Sequence, residues 1–507
     1  MKSFSSMAGK TEWRNPIFYG FITIYSCFLI FLAYKLNIWE DEAYSLHTSA
    51  NNLANVISQA YNFEGQPPFY FILLALWRKI DSGIFFARLF SLLFIGFGSY
   101  FFYRIVLLIS GFKYSRWLVV IFLVNPFTVW ASLEIRLYAF VIFLSTVLIY
   151  YFLRFYLENK KKYLYLFLLV ALIGLYTQYF FTFEIAALTF AVLIFKGSKA
   201  FFNLCLYLIP LIILFIPNLF FVHQQVEMLQ SHKLEYNTVH RILAILYSIQ
   251  ELILAIPILP NTLEIRTIVR LIFILLTAYA YFKVYKNRTA NYNLYFENIN
   301  VILLSVSVLV SLYALLFAIT GIIFQSKYMA IVFPFFILIF TLYKAKFFSS
   351  SLIYSIISVY YILLLVLNYN HPIKNYDFIS AGKFVKKIER SKEPVLFYSK
   401  SLLPPFTYYY TGPNPLVAIP ALKYDDNYYE ENIKDTLELK KAIEDVNSPT
   451  RSYILLTDNS GDYKYTIDMS QQTIDECLMR NYNITLDTCL LGENKNHTLR
   501  IRRLEIK

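Results

Sequence analysis

Glycine, cysteine and histidine are scarce in this chain, with 14, 4 and 6 copies in 507 residues. There is no Gly-rich phosphate loop and no His/Cys pair at metal-ligand spacing, which excludes a sequence-encoded nucleotide cradle or zinc centre. Internal repeats and low-complexity segments are also missing. So few glycines count against a transporter, whose helices are commonly Gly- or Pro-broken, pseudo-repeated and charged at mid-span. Between Ile38 and Trp77 there is not one Lys or Arg. No small-residue cleavage site follows the first apolar helix, which therefore reads as a retained signal-anchor.

What is abundant is apolar. The chain is 58% hydrophobic with a mean hydropathy of +0.51, outside the range of an ordinary soluble enzyme. Apolar runs of bilayer-crossing length recur from Pro16 to Asn368 and then stop. Of the 46 basic and 33 acidic residues, 19 of each lie after Asn370, so the net charge of +13 belongs to the first part of the chain. Its basic residues cluster in short loops such as Lys160–Lys162, Lys196/Lys199 and Lys283/Lys286/Arg288. A cytoplasmic place for these loops fixes the orientation. It gives eleven spans at about 16–36, 84–108, 117–133, 136–155, 162–178, 180–196, 201–222, 266–285, 299–320, 328–343 and 350–368. Two further apolar segments, about 67–80 and 240–258, are expected as interfacial helices; letting both span gives the alternative count of thirteen. The basicity is that of membrane loops and not a nucleic-acid surface. Most of the 92 Tyr and Phe are lipid-facing bulk and interfacial belt.

With this topology residues 1–370 form the membrane domain, with a first external loop at 37–83. Residues 371–507 form a small external α/β domain, in which helical patterns (AGKFVKKIERS, LKKAIEDV, QQTIDECLMR) alternate with strand patterns (PVLFYS, SYILLT, LRIRRLEI). Cys477 and Cys489 lie in it and are a candidate disulfide in an oxidising compartment. The external face also gathers Asp41, Glu42, Gln66-Pro67-Pro68, Glu134, Arg136, Tyr138, Gln178, Tyr179, Lys327 and Tyr328. Two prolines hold Gln66 extended, and its side chain is expected to face the Asp41 loop. The asymmetry places the chemistry on the outer side.

Several of these residues carry a family resemblance. Asp41-Glu42-Ala43-Tyr44 is followed by Gln66-Pro67-Pro68-Phe69-Tyr70, Ala87-Arg88-Leu89, Glu134-Ile135-Arg136-Leu137-Tyr138-Ala139, Tyr176-Thr177-Gln178-Tyr179 and Lys327-Tyr328. In order, spacing and side this set resembles the GT-C membrane glycosyltransferases, in particular the family of protein O-mannosyltransferases and the aminoarabinose transferase of lipid A. The resemblance implies a GT-C-like polytopic helical fold in the bacterial inner membrane. It also implies transfer of a sugar from a polyprenyl-phosphate donor to a lipid, glycan or protein acceptor on the periplasmic or extracellular face. Gln66 and Gln178 stand where that family often has His, and Lys327 where it more often has Arg. Gln neither titrates nor binds metals well, so no divalent metal is expected.

A lipid phosphate leaves as an anion, so transfer needs a carboxylate to take the acceptor's proton and cations to receive the phosphate. Asp41 is the expected base, with Glu42 second or holding a neighbouring group in place. The side chains of adjacent residues diverge, which disfavours a paired-carboxylate retaining route and points to inversion. Arg136 is the first candidate for the phosphate, against an ion pair with Glu134; Lys327 and Arg88 follow. Gln66, Tyr138, Gln178, Tyr179 and Tyr328 are candidates to line the sugar site. The competing classes are a transporter or flippase of a lipid-linked glycan and a non-catalytic membrane scaffold.

Overall fold

The computed structural model describes residues 16–110, 115–231, 245, 263–286, 293–320, 326–344, 350–422, 433, 435–458, 471–493 and 497–507. The fold is dominated by helix, the form in which a backbone in hydrocarbon satisfies its own hydrogen bonds. The first eleven helices are α1 (Pro16–Lys35), α2 (Glu40–Thr48), α3 (Leu53–Asn62), α4 (Phe69–Arg78), α5 (Ile84–Ser110), α6 (Ser115–Val124), α7 (Pro126–Leu133), α8 (Tyr138–Glu158), α9 (Lys161–Leu175), α10 (Phe181–Lys196) and α11 (Ser198–Ser231). Later helices include Leu263–Lys286, Asn293–Thr320, Phe333–Ile339 and Ser350–Asn368.

Six helices among the described residues are long and apolar enough to cross a bilayer, or seven if the bent pair α6–α7 is one span. The sequence predicts eleven, a count these lengths leave unconfirmed, and several of the expected runs have local features of their own. The run expected to span at 117–133 is bent by 57°, because Asn125 caps α7 by accepting from the Phe127 N–H and Pro126 occupies its first turn. The run at 328–343 is split into a 3-10 turn (Ser326–Ile331), a seven-residue α-helix and a second 3-10 turn (Phe340–Lys344). The runs at 162–178 and 180–196 are helices of 15 and 16 residues, α9 and α10. Between them Gly174 sits so close to the Phe181 ring that a Cβ there would come within 2.7 Å of it. The apolar segment at 67–80 is the ten-residue α4, roughly 15 Å long and too short to cross. The segment at 240–258 lies outside the described residues except for Ile245.

α5 packs along α8, the most buried of the long apolar helices, and the two run parallel. Phe94 meets Phe140 at 4.6 Å and Phe101 meets Tyr150 at 5.5 Å between ring centroids, and Gly98 faces the Phe143 backbone. The two helices therefore begin at one end of the bundle and finish at the other.

The C-terminal part carries a five-stranded sheet of β1 (Val395–Tyr398), β2 (Leu416–Ile419), β3 (Ser452–Asp458), β4 (Tyr482–Leu491) and β5 (Thr498–Ile506), in the order β2-β1-β3-β5-β4. β1 lies parallel to β2 and β3, while β5 lies antiparallel to β3 and β4. The strand period of two divides the apolar residues between two layers. Leu396, Leu455 and Leu504 pack with helices Thr436–Glu444 and Gln471–Asn481. Phe397, Leu456 and Ile501 pack with helices Phe378–Ile388 and Leu403–Thr407.

The expected disulfide is not formed. Cys477, on helix Gln471–Asn481, is buried with its thiol against the Thr436 carbonyl, whereas Cys489, on β4, is exposed.

Candidate functional site

At the end of the bundle where α5 and α8 begin, six segments of the chain bring charges together. α2 supplies three acidic residues in its first turn, a favourable place for negative charge on a helix. Successive residues point about 100° apart, and Asp41 and Glu42 have different surroundings.

Glu42 faces inward. Arg88 donates to both of its oxygens, from Nε at 3.2 Å and Nη2 at 3.1 Å. Lys374 Nζ lies 2.9 Å from Oε2, and the Ile135 N–H donates to Oε1 at 3.0 Å. Both Glu42 and Arg88 have no exposed side-chain surface. Arg88 also donates from Nη1 to the Ala33 and Leu36 carbonyls and from Nη2 to that of Asn37. These carbonyls lie in and just after the last turn of α1, where helical partners run out. All five Arg88 donors are thus engaged, and Arg88 is not available to a phosphate. Burial would push the Glu42 carboxyl up, but Arg88 and Lys374 outweigh it and hold it below the usual range.

Asp41 faces the other way and keeps 20% of its side chain exposed. Lys327 Nζ donates to Oδ2 at 3.1 Å, and Arg136 Nε lies 4.0 Å from the same oxygen. Against the opposing effect of burial these two cations keep the carboxyl below its ordinary value. Lys327 is 23% exposed and its ammonium is raised, burial being outweighed chiefly by Asp41. Arg136 does not pair with Glu134, the alternative the sequence offered. Its Nη1 donates to Glu64 Oε2 at 2.6 Å, Ser45 Oγ at 2.9 Å and the Asp41 carbonyl at 3.2 Å. Its Nε is buried and makes no hydrogen bond.

Glu64 and Lys374 are members of the cluster that motif reading missed. Glu64 occupies the turn before Gly65, whose positive φ of 61° favours glycine, and Thr48 also donates to its carboxylate. Burial raises its pKa, with Arg136 acting in opposition. Glu64 is thus a first-loop side chain that reaches the Asp41 cluster; Gln66, expected to face it, is half-buried, and its N–H closes the turn on the Ala60 carbonyl. Lys374 lies just before the sheet domain. Its ammonium bridges Glu42 and Glu134, at 2.9 and 2.8 Å. Burial, helped by Glu42 and opposed by Lys374, pushes Glu134 up to about 6, and Trp39 Nε1 donates to its other oxygen at 2.7 Å. Glu40 accepts from the Tyr44 hydroxyl one turn later.

Of the candidate lining residues, Tyr138 is buried at the start of α8, stacked on Trp130, and feels the charges of Lys327, Arg136 and Asp41. Tyr328 packs against Phe180 and Phe317 beside Lys327. Gln178 is buried, and its Oε1 has no hydrogen-bond donor. Tyr179 sets its ring against Phe215. No group of three or more His, Cys, Asp or Glu side chains among the described residues converges as a metal site would require.

The result is a two-tier arrangement, with a closed tier of Glu42, Arg88, Glu134 and Lys374 next to an open carboxylate flanked by two cations. No protein-family model and no curated protein matches this sequence. Among solved structures, the chain is similar to ArnT from Cupriavidus metallidurans in the apo state, at a TM-score of 0.45 and 10% identity over 96% of this chain and 98% of that one. It is similar too to ArnT from the same organism bound to undecaprenyl phosphate, at a TM-score of 0.40 and 10% identity over 95% and 98%.

Proposed function

We propose that this protein is an integral-membrane glycosyltransferase that moves a sugar from a polyprenyl-phosphate donor to an acceptor hydroxyl or amine on the outer face of the membrane. The observation that carries the proposal is Asp41, a solvent-reachable carboxylate with Lys327 and Arg136 beside it. The buried Arg136 Nε, which makes no hydrogen bond and lies 4.0 Å from Asp41 Oδ2, adds a donor beside that carboxylate. The acceptor atom attacks C1 of the sugar and its proton passes to an Asp41 oxygen. The C1–O bond to phosphate breaks, and its electron pair leaves with the phosphate, which Lys327 and Arg136 receive. One base and one displacement invert the anomeric centre. Glu42 is a positioning residue in this scheme, which routes no step through a metal.

The test is Asp41→Asn in the full-length protein with a polyprenyl-phosphate sugar. Turnover should fall by about 10²–10⁴-fold, the usual worth of a general base, while the donor still binds. Turnover at wild-type level would refute Asp41 as base. A variant that moves lipid-linked glycan across the bilayer as well as wild type does would favour a flippase.

A further inference from the structure

The far ends of α5 and α8, with the start of α9, enclose a cleft of about 290 Å³ lined by Tyr100, Arg104, Tyr150, Arg154, Lys162 and Tyr163, among others. No carboxylate lines it. Arg104 donates to the hydroxyls of Tyr100 at 2.9 Å and Tyr150 at 3.3 Å. Arg154 donates to the same Tyr150 oxygen at 2.9 Å and to the Tyr163 hydroxyl. One phenol oxygen thus holds two guanidinium groups close together, an arrangement that like charges resist, and of the two only Arg154 has a carboxylate partner among the described residues. Glu158 engages Arg154 and Lys160. Arg104 and Lys162 have no carboxylate in ion-pair reach among the described residues, and Lys162 Nζ sits 4.9 Å from the Tyr163 ring centroid.

The hydroxyl protons complete the pattern. A phenol has one proton to donate besides the lone pairs on which it accepts. The Tyr100, Tyr150 and Tyr163 oxygens accept from arginine, and no described residue accepts a hydrogen bond from them. Cations and phenol donors therefore converge on a space that holds no acceptor, the chemistry of a phosphate-ester site.

Its place in the fold selects the source of that phosphate. Arg104 follows Arg88 by 16 residues on α5, about 24 Å along the axis, so the cleft lies near the membrane face opposite Asp41. The Lys160–Lys162 loop flanks it, and basic pockets between helices on that side suit anionic headgroups. We propose that this cleft binds the headgroup phosphate of an anionic phospholipid in the leaflet opposite the Asp41 site.

The full-length protein in nanodiscs of phosphatidylcholine with a minor fraction of phosphatidylglycerol tests this by native mass spectrometry of co-released lipid. Wild type should retain phosphatidylglycerol at least tenfold over its bulk ratio, and Arg104→Gln/Lys162→Gln should bring retention near that ratio. Tyr150→Phe, which keeps the ring and removes a donor, should weaken retention severalfold even if the double variant does not fold. Inorganic phosphate and glycerol phosphate at millimolar levels should not displace the lipid; displacement would make this a soluble-phosphate site and overturn the lipid assignment. Bulk-ratio retention by wild type, or full retention by a folded double variant, would overturn the site altogether.

Discussion

Asp41 is ionised in the free protein because Lys327 and Arg136 outweigh its burial, and this has a kinetic consequence under the proposed chemistry. A carboxylate held below its ordinary value of about 3.9 is always available as a base but has little drive to take a proton. Once the donor's phosphate engages Lys327 and Arg136, part of their hold is cancelled, burial gains weight and the carboxyl rises. The acid limb of kcat/KM, which reports the free enzyme, should therefore lie below about pH 4, and the acid limb of kcat should lie above it. Rate profiles at limiting and saturating donor check this; coincident limbs would disconnect Asp41 from the phosphate. Glu42 should behave differently. Arg88→Met strips a fully buried carboxylate of its bidentate partner, and loss of one member of a buried pair costs about 3–5 kcal/mol. The expected outcome is a large fall in melting temperature in detergent; unchanged stability with lost turnover would move Arg88 into the chemistry.

The elements that hold Lys327 are as specific as the residue itself. Its 3-10 turn closes only the shorter i→i+3 bonds, and neighbours fix it. The Ser145 hydroxyl on α8 donates to the Ile331 carbonyl at 2.8 Å, and the Tyr313 hydroxyl on helix Asn293–Thr320 donates to the Tyr328 carbonyl at 2.9 Å. Each such bond is worth about 1 kcal/mol. Tyr313→Phe and Ser145→Ala should each raise donor KM roughly fivefold while altering kcat little, which steady-state kinetics would show. A fall in kcat alone would count against this preordering of Lys327. This turn also marks the limit of what the sequence makes legible. The apolar run at 328–343 reads as a span because hydropathy sums side chains and ignores backbone direction; Pro334 and the paired 3-10 turns break it without lowering the sum. Asn125-Pro126 does the same to α6–α7. The six regular elements anticipated in the C-terminal part all have counterparts, because amphipathic periods are local. β2 and β4 escaped notice: β2 is only four residues long, and β4 carries polar residues on its exposed face.

The candidate site was legible as far as its motifs extend. Asp41, Arg136 and Lys327 were named from the sequence and lie together, since each stands at the end of an apolar run and those ends meet at one end of the bundle. Glu64 and Lys374 were not, because each is a single charge between motifs whose partner is far off in the chain. The absence of Lys and Arg from residues 38–77 was the available sign for Glu64, as an acid there must find its cation elsewhere.

Lys374 couples the sheet domain to the membrane bundle. Asn37, at the end of α1, donates to the Lys374 and Tyr376 carbonyls and accepts from the Lys374 N–H. The Tyr409 hydroxyl accepts from the Ile38 N–H. The Lys374 ammonium then enters the closed tier between Glu42 and Glu134. Lys374→Met would leave two buried carboxylates facing each other, of which Glu134 already titrates near 6. Its pKa should rise further, so the folded state would bind a proton that the unfolded chain, with Glu near 4.3, does not. Stability of the variant should therefore be highest at low pH and fall as pH rises through and above 6, with a loss of about 3–5 kcal/mol at neutrality. Adding Glu134→Gln, which removes one of the facing charges, should restore much of the loss and flatten the pH dependence. Thermal melts of the single and double variants between pH 5 and 8 measure both effects. A Lys374→Met protein with a flat profile and no rescue would mean that the domain is docked by its backbone contacts alone, with the charge of Lys374 irrelevant to the acidic floor beneath Asp41.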